Sequence, residues 1–160
     1  MSSGSALCLG KQFNSHLLSI NAVTYMIAST VIGSIMKYVG RENTIMVGLI
    51  FIFIQNMALA YATTLEDPET FLALSFIAQA IGGVGSGINS VASMALVVKN
   101  SAKEDREMNI GFMEAFTGIG FLAGPLFGSF MFTLGGYVMP FAASAGLILL
   151  MYPIVCYNLI

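Results

Sequence analysis

Charge is what this chain has least of. Lys, Arg, Asp and Glu make up 9% of its 160 residues, against roughly 25% in a water-soluble globular domain. That deficit argues against a soluble single domain. An excess of base is missing as well: six Lys and Arg against eight Asp and Glu give a net charge of −2, which leaves no electrostatic footprint for nucleic acid. Cysteine is scarce, and Cys8 and Cys156 stand at opposite ends, one in a polar tail and one in an apolar run. Two such residues imply neither a disulfide framework nor a thiolate metal site. Met1 to Ser15 is polar, with no compact apolar core ahead of a cleavage site, so membrane entry is expected to come from the later apolar segments themselves. Catalytic signatures are also lacking. There is no H-E-x-x-H, no paired intramembrane acid and no G-x-S-x-G elbow. Gly85-Ser86-Gly87 comes close only superficially, with no deep His or Asp to act as base. The expectation is a non-enzyme without metal or cofactor.

What is present is apolar: 57% hydrophobic side chains and 17 glycines. A helix crossing roughly 30 Å of hydrocarbon needs about 20 mostly apolar residues, and the uncharged segments are that long. Leu17 to Met36, Asn43 to Leu65 and Thr70 to Val98 each supply one, and Ala115 to Ile160 supplies two, divided at the Gly135-Gly136 turn signal with Pro140 beyond it. Val47 to Ile54 stays apolar at both parities, unlike the alternating strands of a membrane barrel. The sequence therefore predicts an all-α membrane protein: a polar N-terminal tail over residues 1–16, then a transmembrane domain over 17–160 with spans at about 17–36, 44–62, 70–97, 109–133 and 137–158.

Cytoplasmic loops retain Lys and Arg. Lys37 and Arg41 follow the first span, and Lys99, Lys103 and Arg106 follow the third, whereas the opposite side has only Lys11. The Glu66-Asp67-Pro68-Glu69 loop and the Gly135-Gly136 turn carry no base. This predicts an outside or lumenal N-terminus and a cytoplasmic C-terminus.

Three stretches carry motifs. Gly33, Lys37, Gly40 and Arg41 close the first span, and the fourth span holds Gly111, Gly120, Gly124, Pro125 and Gly128 in the pattern G-x(8)-G-x(3)-G-P-x(2)-G. The third span carries Gln79-Ala80-Ile81-Gly82-Gly83-Val84-Gly85. The stretch closing the first span resembles the loop G-x-x-x-D-x-x-G-R-[KR] between helices 2 and 3 of the major facilitator superfamily, with Lys37 in place of the acid and Glu42 in place of the second base. A tight basic loop obeying topology rules is the alternative reading. The fourth-span pattern resembles the helix 5 antiporter motif of that superfamily, with Ser129 in place of its last glycine. A generic glycine zipper explains the glycines but not the Gly-Pro-x-x-Gly arrangement. The third-span stretch is similar to the helix 4 pattern R-x-x-Q-G-x-G, with Gln79 in place of the arginine and Gly82 in place of the glutamine. Gln79, Gly83, Ser86, Ser90 and Ser93 share one helix face, suited to packing or to a wet path. Gly124-Pro125-Leu126-Phe127-Gly128-Ser129, Gly135-Gly136-Tyr137 and Pro140-Phe141 most resemble the vesicular amine and polyamine transporter branch.

The resemblance implies that the five spans are helices 2 to 6, part of the N-terminal half of a twelve-helix fold. Such transporters bind substrate near the midplane between two halves and alternate access by rocking one half on the other. The function it implies is a fragment of a proton-linked exporter or antiporter of organic cations or amines, in a vesicular or plasma membrane. Lipid bilayer, a small-molecule substrate and a missing half or partner chain are the expected partners. The alternative is a non-transporting scaffold that packs with a partner chain. The chain ends at Ile160 with no basic flank after an apolar run, which reads as a fragment, a split gene product or an incomplete gene model.

Polar residues at depth are the remaining candidates. Glu114 is the only formal charge inside a predicted span; burial of a carboxylate is expensive, so it is a candidate for coupling. It lies about 80° around the helix from Gly124 at 100° per residue, and an ion pair with Arg41 or Lys99 is the favoured expectation. Gln55, Asn56 and Gln79 are candidates for the substrate path, with Asn21, Tyr25 and Asn89 as further deep polar groups. Interhelical hydrogen bonds are the ordinary role of such residues. His16 is expected at the membrane edge, and the eleven methionines are dispersed as packing groups rather than metal ligands.

Overall fold

A computed structural model describes the backbone of residues 3–65 and 67–159 and the side chains of residues 16–65 and 67–157. Cys8, Lys11, Glu66 and Ile160 lie outside the described side chains, and with them the Lys11 and Glu66 parts of the topology argument.

The chain folds into five helices: α1 over Ser3–Val39, α2 over Arg41–Ala62, α3 over Pro68–Asn100, α4 over Arg106–Gly135 and α5 over Val138–Leu159. Each contains a stretch long and apolar enough to cross a membrane, that of α1 beginning at His16. Residues 3–15 of the polar N-terminal stretch continue α1 as helix. At 1.5 Å per residue α3 is about 50 Å long, more than the hydrocarbon thickness, so its ends reach past the apolar layer or the helix tilts. The helices overrun the apolar runs because backbone hydrogen bonding continues until a capping residue stops it.

The connections are short. A single residue, Gly40, joins α1 to α2 at φ 88°, a left-handed conformation that glycine adopts without a Cβ penalty. Its N–H still donates to Met36 O at 3.0 Å, and its carbonyl accepts from Thr44 Oγ1 at 2.7 Å. At the other end, Asp67 caps α3: its carboxylate accepts from the Thr70 N–H at 3.1 Å and from the Thr70 hydroxyl, and Pro68 occupies the first helical position, where no N–H is needed. Asn109 Nδ2 reaches back to Ser101 Oγ at 2.9 Å and ties α4 to the end of α3. Gly136, at φ 69°, makes the last turn, with Phe132 and Tyr137 stacked edge to face across it at 4.7 Å.

The core lies around α3. It packs extensively against both α1 and α2, which hardly touch each other although one residue joins them. α5 lies along α2, and α4 makes only small contacts with α5 and α3. Burial follows this order: Ser75, Ala78, Gly82, Gly83, Gly85, Gly87, Ile88 and Ala92 of α3 are buried, while no residue of α4 is.

Candidate functional site

Glycine and amide side chains build the centre of the three-helix core. A Cβ on Gly87 would stand 2.7 Å from Tyr25 O of α1, and one on Gly85 would stand 2.7 Å from Phe51 Cβ and 3.1 Å from Gly48 O of α2. Gly83 lies against Asn21 and Thr24, Gly82 against the Gln55 side chain, and Gly48 against Asn89. Small residues let helix backbones approach closely where lipid supplies no hydrophobic drive for association. The Gln79, Gly83 and Ser90 face predicted from spacing is the face that meets α1, so packing is one of its roles.

At this contact three amides from three helices converge. Asn21 Nδ2 of α1 donates to Gln79 Oε1 at 3.1 Å and to Gln79 O at 3.1 Å, and Gln55 Nε2 of α2 donates to the same Gln79 Oε1 at 3.3 Å. Gln79 thus stands as a shared acceptor where the family pattern has arginine. All three side chains are half-buried and lie nearer the Asp67 end than the Gly40 end. Further along α3, Tyr25 donates its hydroxyl hydrogen to Ser90 Oγ at 3.1 Å. Of the path candidates, Gln79 and Gln55 are brought together, whereas Asn56 turns away and donates to Ile52 O of its own helix at 2.8 Å. Asn21 belongs to the cluster more firmly than Asn56. Its signal was a lone amide in an apolar span, but nothing in one helix says which amides of two others lie at its level. Ser75 Oγ and Asn89 Oδ1 are buried on α3 with no hydrogen-bond partner among the described residues.

The basic end has a further cluster. Gly33, Met36, Lys37, Gly40, Arg41, Glu42 and Lys99 line a depression of about 410 Å³. Lys99 Nζ pairs with Glu42 Oε1 at 3.2 Å, and Lys37 Nζ lies 5.0 Å from the centre of the Tyr38 ring. The pair joins the ends of α2 and α3, so the α1–α2 and α3–α4 connections share one side of the bundle. It also replaces the expected partnership of Glu114. Lys99 is taken by Glu42, and Glu114 is exposed with no ion pair among the described residues. The physical reason is reach: among the described residues α4 makes no contact with α1 or α2, which keeps Glu114 from Arg41, and Lys99 at the end of α3 is already paired with Glu42. Arg106, expected in the connection after the third span, is instead the first residue of α4, with Nε buried and unpaired among the described residues.

The glycine–proline stretch of α4 lies in the open. Nothing comes within 4 Å of a Cβ placed on Gly111, Gly120, Gly124 or Gly128, and Gly33 is equally free. Phe116, Phe121, Leu122 and Leu126 are each more than 70% exposed. Pro125 sits inside the helix, where its ring removes one backbone hydrogen bond.

Outside the spans, the Thr70 hydroxyl and then the Thr70 N–H hold the Asp67 carboxyl below its usual range. Among the described residues, no group of three or more His, Cys, Asp or Glu is placed to hold a metal.

Comparison with known proteins agrees with this helical arrangement. The Major Facilitator Superfamily profile matches residues 3–159. The chain is 25% identical over 138 residues to the MFS-type transporter SLC18B1 of Mus musculus, covering 86% of this chain and 30% of that protein. It is 27% identical over 130 residues to the probable vesicular acetylcholine transporter-A of Danio rerio, covering 81% of this chain and 24% of that protein. It is 27% identical over 135 residues to the human synaptic vesicular amine transporter, covering 84% and 25%. The matched region is thus less than a third of each relative's length. Five apolar helices and a family match over nearly the full chain lead to one conclusion: this multi-pass membrane chain belongs to the Major Facilitator Superfamily.

Proposed function

We propose that the chain forms one wall of a secondary transporter that exchanges organic amines for protons, with a separate helical unit closing the pathway against α4. The observation that carries this reading is the contrast between α3, whose glycines are filled by α1 and α2, and α4, which buries no residue while presenting Gly111, Gly120, Gly124, Pro125 and Gly128. A smooth, small-residue face is the surface against which another helix packs closely. In this reading the side bearing Lys37, Arg41 and Lys99 is cytoplasmic, and the Gly33–Arg41 stretch gates it. The Asn21–Gln55–Gln79 cluster holds α1, α2 and α3 together beside the substrate path. Glu114, on the uncovered helix, is the coupling carboxylate. The amine class rests on the vesicular amine transporter among the relatives.

The test is a chimera in which this chain replaces the aligned region of the human synaptic vesicular amine transporter. Vesicles containing the chimera are expected to accumulate a radiolabelled amine, and dissipating the pH gradient is expected to stop it. Glu114→Gln is expected to remove the pH dependence. A chimera that reaches the vesicle membrane but moves no amine, or moves it independently of the gradient, overturns the proposal.

A further inference from the structure

The depression at the basic end combines more positive charge than ion pairs among the described residues neutralise. Lys37 is in the last turn of α1, Arg41 is the first residue of α2, and Lys99 is in the last turn of α3. Three cations thus converge from three helices on one cavity of about 410 Å³. Among the described residues Glu42 is the only acid in its lining, and it is committed to Lys99 at 3.2 Å. Lys37 and Arg41 have no ion pair among the described residues, and both are exposed toward the cavity they line.

One helix terminus adds to the same sign, while the last turns of α1 and α3, which carry Lys37 and Lys99, bring partial negative charge to the same end. The N-terminus of α2 opens into this cavity at Gly40, and no side chain caps it. A helix N-terminus carries partial positive charge and unpaired N–H groups, so an arginine there is disfavoured by the helix itself. Lys37 and Arg41, without an ion pair among the described residues and beside the uncapped start of α2, leave a site that can take an anion. Its depth identifies the source of that anion. Each contributing residue borders an apolar span, which places the cavity at headgroup level, where basic pockets between transmembrane helices take anionic lipid headgroups.

We infer that this cavity binds the phosphate of an anionic phospholipid headgroup, held by Lys37, Arg41 and the first-turn amides of α2, with Lys99 added when Glu42 is displaced. The inference does not rest on the transport reading, although it uses Lys37 and Arg41 of the stretch placed in gating there, because its readout is lipid retention at the end of the bundle and not substrate movement.

The full chain, purified in detergent, is titrated with dioleoylphosphatidylglycerol, dioleoylphosphatidylcholine or inorganic phosphate, and bound lipid is counted by native mass spectrometry. Phosphatidylglycerol is expected to bind in preference to phosphatidylcholine. Lys37→Gln with Arg41→Gln is expected to weaken its binding about thirtyfold, on the usual increment per basic residue near a membrane surface. Glu42→Gln, which removes the only acid and releases Lys99, is expected to strengthen it about fivefold. Lys103→Gln, outside the cavity, is expected to leave it unchanged. Equal binding of both lipids, equal loss in Lys103→Gln, or weaker binding in Glu42→Gln overturns the inference. Inorganic phosphate displacing the lipid at matching concentration also overturns it, since the site is then one for a free anion. Should the double variant fail to fold, Glu42→Gln decides alone.

Discussion

A methyl group added at position 87 has no room, because Tyr25 O of the neighbouring helix stands 2.7 Å from where it would be. A backbone oxygen does not swing aside as a flexible side chain does, so α1 and α3 have to separate. The same methyl at position 124 meets nothing within 4 Å. Gly87→Ala and Gly83→Ala are therefore expected to destabilise the bundle by about 1–3 kcal/mol, the usual cost of overpacking. Gly124→Ala is expected to stay within about 0.5 kcal/mol of the parent. Thermal unfolding in detergent micelles measures all three, and a Gly124→Ala variant as damaged as Gly87→Ala contradicts the packing described. At this scale the sequence was only partly legible. Gly124 and Gly87 are the same letter, and which of them is sterically required depends on a backbone from another helix. Gly40 was legible only as part of a tight loop between two spans; that the connection is a single residue at positive φ comes from the structure.

Individual helices were the most legible feature, because long apolar runs without charge have one stable form in a bilayer, where every backbone group must be hydrogen-bonded internally. Their neighbours were much less so. Lipid tails are as apolar as leucine, so hydropathy does not separate the packed face of α3 from the open face of α4. The spacing of Gln79, Gly83 and Ser90 did identify a face, because polar and small residues break that degeneracy; the convergence of Asn21 and Gln55 on Gln79 needed the fold. The start of α3 supplies an element-scale prediction. Asp67 has a folded pKa below its ordinary 3.8 because Thr70 hydrogen-bonds the carboxylate. A depressed pKa contributes stability that is fully present above the unfolded value and lost as pH falls through the folded one. Asp67→Ala is accordingly expected to lower the melting temperature near pH 6, with the difference from the parent shrinking as pH falls below the ordinary 3.8. A difference that persists undiminished in acid contradicts the capping role.

For the whole molecule, the unequal packing is the feature that matters. α1, α2 and α3 form a tight core with α5 against one side, and α4 stands nearly alone. The aligned region amounts to 30% or less of the three relatives compared. The proposed pathway consequently lies between this bundle and a separate helical unit rather than within it. The most direct measurement is pH-gradient-driven uptake of a labelled amine into proteoliposomes, made with this chain alone and with this chain joined to the remaining helices of the human synaptic vesicular amine transporter. The account predicts no uptake above protein-free liposomes for the chain alone and gradient-dependent uptake for the joined protein. Gradient-driven uptake by the chain alone would contradict it.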